Sequence, residues 1–323
     1  MRTRLVIWLA LLSVGLGVVR VPAYAQTPTP RIVTYVQMAL QNGDLASASA
    51  LVAQYRRLNG DTPEALEAFS WLARGELGAG QVEQASKHAD EIKRICLASL
   101  ATRSLDAEPH LPIALGAAYE IEAEVLYNQH KGAEALQLLR DALRTWKSTS
   151  IADRLQKNIN LLTLQGHPMP PLRETEWIGV KPTPNAWRGK VLLLFFWAHW
   201  CADCKAEAPI IEKLASEFEP KGLVVVGPTR RYGYTADDEH AAPEKENAFI
   251  AKVYDRFYAN IPKMQVPLDD VNFERFGAST TPTLVIVDRH GIVRLYHPGV
   301  MDEASLRAAI EPLVVAEPAR TSS

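Results

Sequence analysis

The chain of 323 residues is longer than one ordinary domain and is long enough to build two separate hydrophobic cores. With 47% apolar and 22% charged residues, its composition is that of a globular protein. The formal net charge of -2 provides no general attraction to nucleic acid or to an anionic membrane surface, so we exclude nucleic-acid binding.

The first 25 residues have the parts of a secretory signal peptide. A basic start precedes an apolar run over residues 5–19 that is short for a membrane span, and Ala23 and Ala25 form a small-residue cleavage site. We expect cleavage after Ala25, which would put the rest of the chain in the periplasm or another extracytoplasmic compartment. An uncleaved membrane anchor is the alternative. Residues 26–30 are predicted to be a stiff disordered leader.

Residues 31–165 carry a helical pattern almost throughout, without the β-branched alternation of strands. Turns near Gly43, Gly80 and Gly132 each precede a helix with Ala and Leu at three- and four-residue spacing. This weak, unevenly spaced repeat is typical of tetratricopeptide-type (TPR-like) helical hairpins. Such an array usually presents a concave surface to protein or peptide segments, and a helical bundle that only packs on its neighbour is the alternative.

A proline-rich linker is predicted over residues 166–175, because three closely spaced prolines cannot continue a helix. Beyond it, apolar runs alternate with amphipathic helical patterns, which predicts an α/β domain over residues 176–315 and a disordered tail over residues 316–323. A central mixed sheet with helices on its faces is expected. The predicted strands are 190–200, 222–227, 283–288 and 291–297, and the predicted helices are 202–218, 244–258 and 302–314.

Cys201 and Cys204 lie where the first of these strands passes into a helix. The free N–H groups and the helix dipole at that point favour an anion and therefore a thiolate on Cys201. Cys204, one turn further on, is positioned to close a small disulfide ring with Cys201. In this interpretation Cys201 attacks a substrate disulfide and Cys204 resolves the mixed disulfide.

A zinc site or a haem attachment site at the cysteine pair would lack the residues that it needs. A structural zinc site takes about four ligands, and the chain adds only nearby His199 and distant Cys96. Covalent haem attachment needs a histidine directly after Cys204, where Lys205 stands. We expect no metal and no small-molecule cofactor. Cys96 falls on the apolar side of a helix, where a buried and inert thiol is expected.

The segment FFWAHWCADCKAEAP (195–209), together with TTPT (280–283), resembles the thioredoxin fold and specifically the extracytoplasmic TlpA/ResA-like thiol-disulfide oxidoreductases. The resemblance covers residues 171–315. It implies client proteins with disulfides or thiols, and a membrane electron donor of the thiol-transfer type. Its most specific part comprises Trp197, Trp200, Cys201, Cys204, Lys205, Glu207 and Pro209.

The resemblance also implies roles for residues outside the cysteine pair. Pro282 would be a cis-proline facing the disulfide, and Thr281 would offer backbone hydrogen bonds to a bound peptide. Trp200 would contact the substrate. Glu207 would be a partly buried carboxylate that exchanges protons with Cys204, and a solvated surface glutamate is the alternative.

One residue near the cysteine pair departs from the thioredoxin pattern, and two others bring charge close to the pair. Phe195 stands where thioredoxins proper have a buried Asp, so a proton acceptor is missing there. Asp203 opposes thiolate formation on Cys201, although a protonated His199 could offset that effect. We therefore predict a relatively reducing couple.

Two functions from different classes fit these observations. The first is a secreted thiol-disulfide oxidoreductase in cell redox homeostasis, whose helical region selects or docks clients. The second is a TPR-type scaffold or assembly protein with a vestigial thioredoxin-like domain. The loop that carries Arg230, Arg231, Tyr232 and Tyr234 is either a peptide-recognition surface or an ordinary solvated loop.

Overall fold

The computed structural model describes residues 31–179, 181–183 and 186–315. The predicted signal peptide and leader (residues 1–30) and the predicted tail (residues 316–323) lie outside the described residues. None of the helices within the described ranges combines the length and the apolar character needed to cross a bilayer.

Helices fill the first half of the described chain, as their Ala- and Leu-rich pattern predicts. The side chains of Asp44 and Thr62 cap two of them by accepting hydrogen bonds from backbone N–H groups. Each helix packs against the next along the chain, and α1, α3 and α5 also contact in series, which gives an array of hairpins. The TPR-like assignment of this array stays a prediction. The helices are Ile32–Gln41 (α1), Leu45–Asn59 (α2), Pro63–Gly78 (α3), Val82–Ser99 (α4), His110–Asn128 (α5), Gly132–Trp146 (α6) and Ala152–Thr163 (α7).

Strands and helices alternate after residue 175. Four strands form one sheet in the order β3-β2-β5-β6, with β2 parallel to β3 and antiparallel to β5. A second, two-stranded sheet pairs β1 with β4. The elements are Glu176–Ile178 (β1), Val191–Phe196 (β2), Ala202–Phe218 (α8), Leu223–Val226 (β3), Pro243–Phe257 (α9), Val266–Leu268 (β4), Asp270–Phe276 (α10), Thr283–Val287 (β5), Val293–Pro298 (β6) and Glu303–Val315 (α11).

The all-apolar strand β2 is buried on both faces, because successive side chains of a strand point to opposite sides of the sheet. Leu193 and Phe195 pack into the core shared with α8, α9 and α11. Leu194 and Phe196 pack on the other face, where Phe273 of α10 lies. The predicted central mixed sheet with helices on its faces is confirmed.

The predicted elements differ from the observed ones mainly in length and number. The strand predicted over 190–200 ends at Phe196, although the Trp197 N–H still donates to the carbonyl of Pro228, just beyond β3. The three-residue strands β1 and β4 and the short helix α10 were not predicted. Segments of three residues are too short to show a periodicity.

Helix α7 joins the helical region to the α/β part by packing against α10. Gly277, which ends α10 with φ 56°, lies so close to α7 that a Cβ there would be 2.2 Å from the backbone nitrogen of Lys157. Asn160 donates to the carbonyl of Arg275, and Arg230 forms an ion pair with Asp153 at 2.9 Å. The described residues between 32 and 315 belong to one compact unit, and the proposed domain boundary over 166–175 stays a prediction.

Candidate active site

Cys201 occupies the N-cap position of α8 and is disulfide-bonded to Cys204, with the two sulfurs 2.15 Å apart. The backbone N–H of Cys204 points at the Cys201 sulfur over 3.0 Å. Cys201 is 3% exposed and Cys204 is fully buried, so Cys201 is the cysteine that another molecule can approach. When the bond is reduced, the same N–H and the helix dipole stabilise negative charge on the Cys201 sulfur.

The loop before β5 faces this sulfur. The Thr281–Pro282 peptide bond is cis, and the carbonyl oxygen of Thr281 lies 3.4 Å from the Cys201 sulfur. The Thr283 hydroxyl donates to the carbonyl of Thr280 and ties the loop to the strand. Backbone groups of residue 281 are therefore close enough to the disulfide to meet a peptide that is bound there.

Glu207 is a buried carboxylate on α8, one helical turn beyond Cys204. Its side chain is 3% exposed, and Oε1 accepts a hydrogen bond from the Met301 N–H at 2.9 Å. Oε2 has no hydrogen-bond partner among the described residues. Burial raises the pKa of Glu207 to about 7, and the charge of Asp203 acts in the same direction. The solvated-surface alternative does not describe this side chain, which can gain or lose a proton near neutral pH.

Trp200 precedes Cys201 and is half exposed, with 48% of its surface accessible. Its ring packs edge-on against Tyr232, with the ring centroids 5.5 Å apart. Tyr232 belongs to the loop after β3, and its backbone N–H donates to Glu246 on α9. An exposed aromatic surface thus stands beside the disulfide, supported from behind by this loop.

His199 and Glu246 form a buried pair behind Trp200. Nε2 of His199 lies 3.2 Å from Oε1 of Glu246, and both side chains are 1% exposed. Edge-on rings of Tyr232, Tyr234 and Phe249 surround the imidazole. Burial lowers the pKa of His199 despite the carboxylate, so the ring is neutral near pH 7.

That neutral charge state corrects the suggestion that a protonated His199 offsets Asp203. Asp203 itself is exposed, so water screens its effect on Cys201. Phe195 is fully buried in the core against Tyr258, and no carboxylate replaces the missing Asp at that position. Glu207 is the buried carboxylate that the structure provides on the cysteine helix.

The other residues that the sequence singles out take no part in the chemistry of the cysteine pair. Cys96 is fully buried in the helical core, where burial raises its pKa to about 12 and leaves the thiol protonated. Arg230 and Arg231 are engaged with Asp153 and Glu176, so these two side chains are structural contacts. Within the described ranges no group of three His, Cys, Asp or Glu side chains is arranged to hold a metal ion.

Glu246 is the residue of this site that sequence reasoning missed. It was assigned only to a predicted helix, yet it binds His199 and accepts from the N–H groups of Tyr232 and Gly233 at 2.5 and 2.9 Å. The available signal was its place in the first turn of a helix, next to a loop rich in aromatic residues. Nothing local connects it to His199, which is 47 residues away.

Comparisons with known proteins agree with this geometry. The Redoxin family model matches residues 164–310. The thioredoxin-like protein YneN of Bacillus subtilis is 29% identical over 134 residues, which cover 41% of this chain and 71% of that protein. The thiol:disulfide interchange protein DsbE of Pseudomonas fluorescens is 32% identical over 120 residues, covering 37% of this chain and 58% of that protein. The thiol-disulfide oxidoreductase ResA of Geobacillus thermodenitrificans is 23% identical over 127 residues, covering 39% and 65% respectively.

The three alignments thus span 58 to 71% of the relatives' lengths and about two fifths of this chain. Helices α1 to α7 precede residue 164, where the match to the family model begins. Residues 164–310 therefore match a Redoxin domain, and the relatives of this part of the chain include proteins named as thiol-disulfide oxidoreductases.

Proposed function

We propose that the protein is an extracytoplasmic thiol-disulfide oxidoreductase that reduces or exchanges disulfides in client proteins. One observation carries the proposal: the Cys201–Cys204 disulfide lies at the start of α8, with its more accessible sulfur 3.4 Å from the Thr281 carbonyl beside the cis-proline. A client strand aligned on residue 281 would bring its own disulfide to that sulfur.

The reaction begins from the reduced pair. The Cys201 thiolate attacks one sulfur of the client disulfide, the client S–S bond breaks, and its other sulfur leaves as a thiolate that takes up a proton. Cys201 is then joined to the client by a mixed disulfide. Cys204 loses its proton, attacks the Cys201 sulfur and releases the second client thiol. Two electrons have passed to the client, and the Cys201–Cys204 disulfide remains.

Glu207 would supply the base for the resolving step. The Cys204 sulfur is buried, so its proton needs a nearby acceptor, and Glu207 follows one helical turn later with a pKa of about 7. The carboxylate form accepts the proton as Cys204 attacks. When the disulfide is reduced again, the protonated form can return it.

Trp200, Thr281 and Pro282 would bind the client. The half-exposed ring of Trp200 offers apolar contact on one side of the disulfide, and the backbone of Thr281 offers hydrogen bonds on the other. A client strand that is hydrogen-bonded to the Thr281 backbone would have its sulfur in line with the Cys201 sulfur.

The couple would be relatively reducing and would draw its electrons from a membrane thiol donor. Asp203 disfavours the thiolate and His199 is neutral, so the reduced pair gains little electrostatic stabilisation beyond the helix terminus. The secretory pattern of the first 25 residues supports an extracytoplasmic location, where such a couple needs reductant from across the membrane.

Reduction of insulin tests the proposal. The purified protein, supplied with a chemical dithiol, should accelerate the precipitation of insulin chains, and Cys201→Ala should abolish the acceleration. Wild-type activity no greater than that of Cys201→Ala would contradict the enzyme assignment and favour the scaffold alternative.

A further inference from the structure

A groove of about 720 Å³ runs between the helical region and the loop that carries the cis-proline. Trp71 and Arg74 of α3 and Arg154 and Lys157 of α7 line it from the helical side. Ser279 and Thr280 line it from the other side. Thr280 is the direct neighbour of Thr281, so the groove begins one residue from the contact with the Cys201 sulfur.

Hydrogen-bond donors in this groove outnumber the acceptors that they can reach. The Trp71 Nε1 and the Arg74 Nε and Nη2 atoms are buried and have no hydrogen-bond partner within the described part of the chain. Arg74 stacks on the Trp71 ring at 4.8 Å, and its nearest carboxylate oxygen, on Glu120, is 3.6 Å away and too far for a hydrogen bond. Unpaired buried donors are costly, which favours a ligand that brings acceptors.

The acidic residues around the groove are already engaged. Glu108 accepts from the N–H groups of His110 and Leu111 at the start of α5, and Asp106 accepts from Ser150. Glu120 binds Arg154 and Lys157 at 3.1 and 3.0 Å in addition to lying near Arg74. Among the groove side chains, the donors of Trp71 and Arg74 are the ones that lack a partner in the described part of the chain, so a complementary ligand brings carbonyl or carboxylate oxygens.

The two walls of the groove are held in a fixed relation by the joint between α7 and α10. Gly277 meets the backbone of α7, and Asn160 of α7 binds the carbonyl of Arg275, only a few residues before Ser279. A polypeptide lying on residue 281 therefore meets the groove at a set position. Binding there would need the Trp71 and Arg74 side chains to rotate, because their unpaired donor atoms are buried.

We propose that this groove binds the client polypeptide next to the attacked disulfide, as an extended segment whose Asp or Glu side chains pair with Arg74 and Trp71. The inference rests on the proposed function. It adds a preference for acidic clients, which is provided by Trp71 and Arg74, two residues that precede the part of the chain matched by the Redoxin family model. Clients with acidic residues flanking the disulfide would be reduced faster than clients with neutral flanks.

Two disulfide peptides test the proposal, identical except that one has three flanking Glu residues and the other three Gln. The kcat/KM of the wild type should be about tenfold higher for the Glu peptide at low salt. Arg74→Gln should bring the ratio close to one, because the shorter, neutral amide cannot form the charged pair with a carboxylate. A wild-type ratio near one, or an unchanged ratio in Arg74→Gln, would overturn the proposal.

Arg140→Gln is the matched control, since Arg140 is exposed on α6 and does not line the groove. Arg140→Gln should keep the wild-type ratio of kcat/KM. If it lowers the ratio as much as Arg74→Gln does, the effect of Arg74 is not specific to the groove, which contradicts the proposal. If Arg74→Gln fails to fold, Ser279→Glu adds a repelling charge at the exposed mouth of the groove and should also lower the ratio. A ratio unchanged by Ser279→Glu would then count against the groove.

Direct binding separates this proposal from the proposed function. Fluorescence anisotropy of a labelled Glu-rich peptide without cysteine measures binding to the groove independently of disulfide reduction. If neither disulfide peptide is reduced, that result contradicts the oxidoreductase activity and leaves the groove to be judged by this binding. Binding that Arg74→Gln weakens about tenfold supports the groove. Absence of binding to the wild type contradicts it.

Discussion

The imidazole of His199 and the carboxylate of Glu246 meet at 3.2 Å in the interior, one residue behind the exposed ring of Trp200. Glu246 also accepts from the N–H groups of Tyr232 and Gly233, so one buried carboxylate fixes both the histidine and the loop on which Trp200 rests. A residue of α9 thereby sets the shape of the surface beside Cys201.

Glu246→Ala should destabilise the fold by about 2–4 kcal/mol, because it leaves the buried His199 ring and two N–H groups without their acceptor. Urea denaturation of the oxidised protein measures the change. Glu244→Ala, an exposed position in the first turn of the same helix, is the control and should stay within about 0.5 kcal/mol of the wild type. Equal losses in both variants would contradict the role assigned to the buried pair.

Glu207→Gln should change how stability depends on pH. The pKa of Glu207 rises from 4.5 to about 7 on folding, so the folded state holds more protons than the unfolded state between these values. The contribution of this group to stability therefore falls as pH rises through that window. Glutamine does not titrate, and the stability of the variant relative to the wild type should increase from pH 5 to pH 8. A difference that is constant with pH would contradict the raised pKa.

The same variant should alter turnover. With Glu207 as the proton acceptor of Cys204, the rate of the resolving step rises with pH through an inflection near 7. Glu207→Gln should lose that inflection and resolve the mixed disulfide about 10- to 100-fold more slowly at neutral pH. Rapid-quench measurement of the mixed disulfide follows this step, and a wild-type rate and profile in Glu207→Gln would rule out the proton-transfer role.

Gly277→Ala should weaken the joint between α7 and α10. The new Cβ would meet the α7 backbone at 2.2 Å in a residue with φ 56°, so we expect a loss of at least about 3 kcal/mol in unfolding free energy. Gly43→Ala is the matched control, since Gly43 has φ 72° but nothing within 4 Å of its Cβ position. It should cost only about 1–2 kcal/mol of backbone strain. Similar losses of unfolding free energy in both variants would show that the close approach of Gly277 to α7 does not contribute to stability.

Asp203→Asn should make the couple slightly more oxidising. Removing the carboxylate stabilises the Cys201 thiolate and hence the reduced form, but Asp203 is exposed, so the reduction potential should rise only on the order of 10 mV. Equilibration against a glutathione buffer measures the potential. The shift should shrink in 1 M salt, where exposed charges are screened, and a fall in potential would contradict the electrostatic argument.

Local pattern was sufficient to predict much of the redoxin part. The apolar run of β2, the amphipathic period of α8 and the cysteine spacing are each visible within a few residues, and together they indicate a buried strand that ends at a reactive pair. The local sequence does not decide whether Glu207 is buried, because its carboxylate contacts the Met301 N–H, nearly a hundred residues away.

The features that escaped prediction depend on contacts distant in sequence. Glu246 finds His199 across 47 residues, and Arg230 finds Asp153 across 77, so neither pairing leaves a periodic signal. The groove at Arg74 exists only because α7 docks on α10 and brings residue 280 against the helical region. The charged and aromatic residues of the loop at 230–234 indicate an interaction surface, but the sequence does not identify its partners, Asp153 and Glu176, which only the fold brings close.

Mass spectrometry of a single turnover tests the central claim most directly. Mixed with a one-disulfide client peptide after reduction, Cys204→Ala should accumulate a covalent adduct on Cys201 at one peptide per chain, because nothing remains to resolve it. Cys201→Ala should form none, since Cys204 is fully buried. An adduct on Cys204 in the second variant, or no adduct in the first, would contradict the assignment of Cys201 as the attacking sulfur.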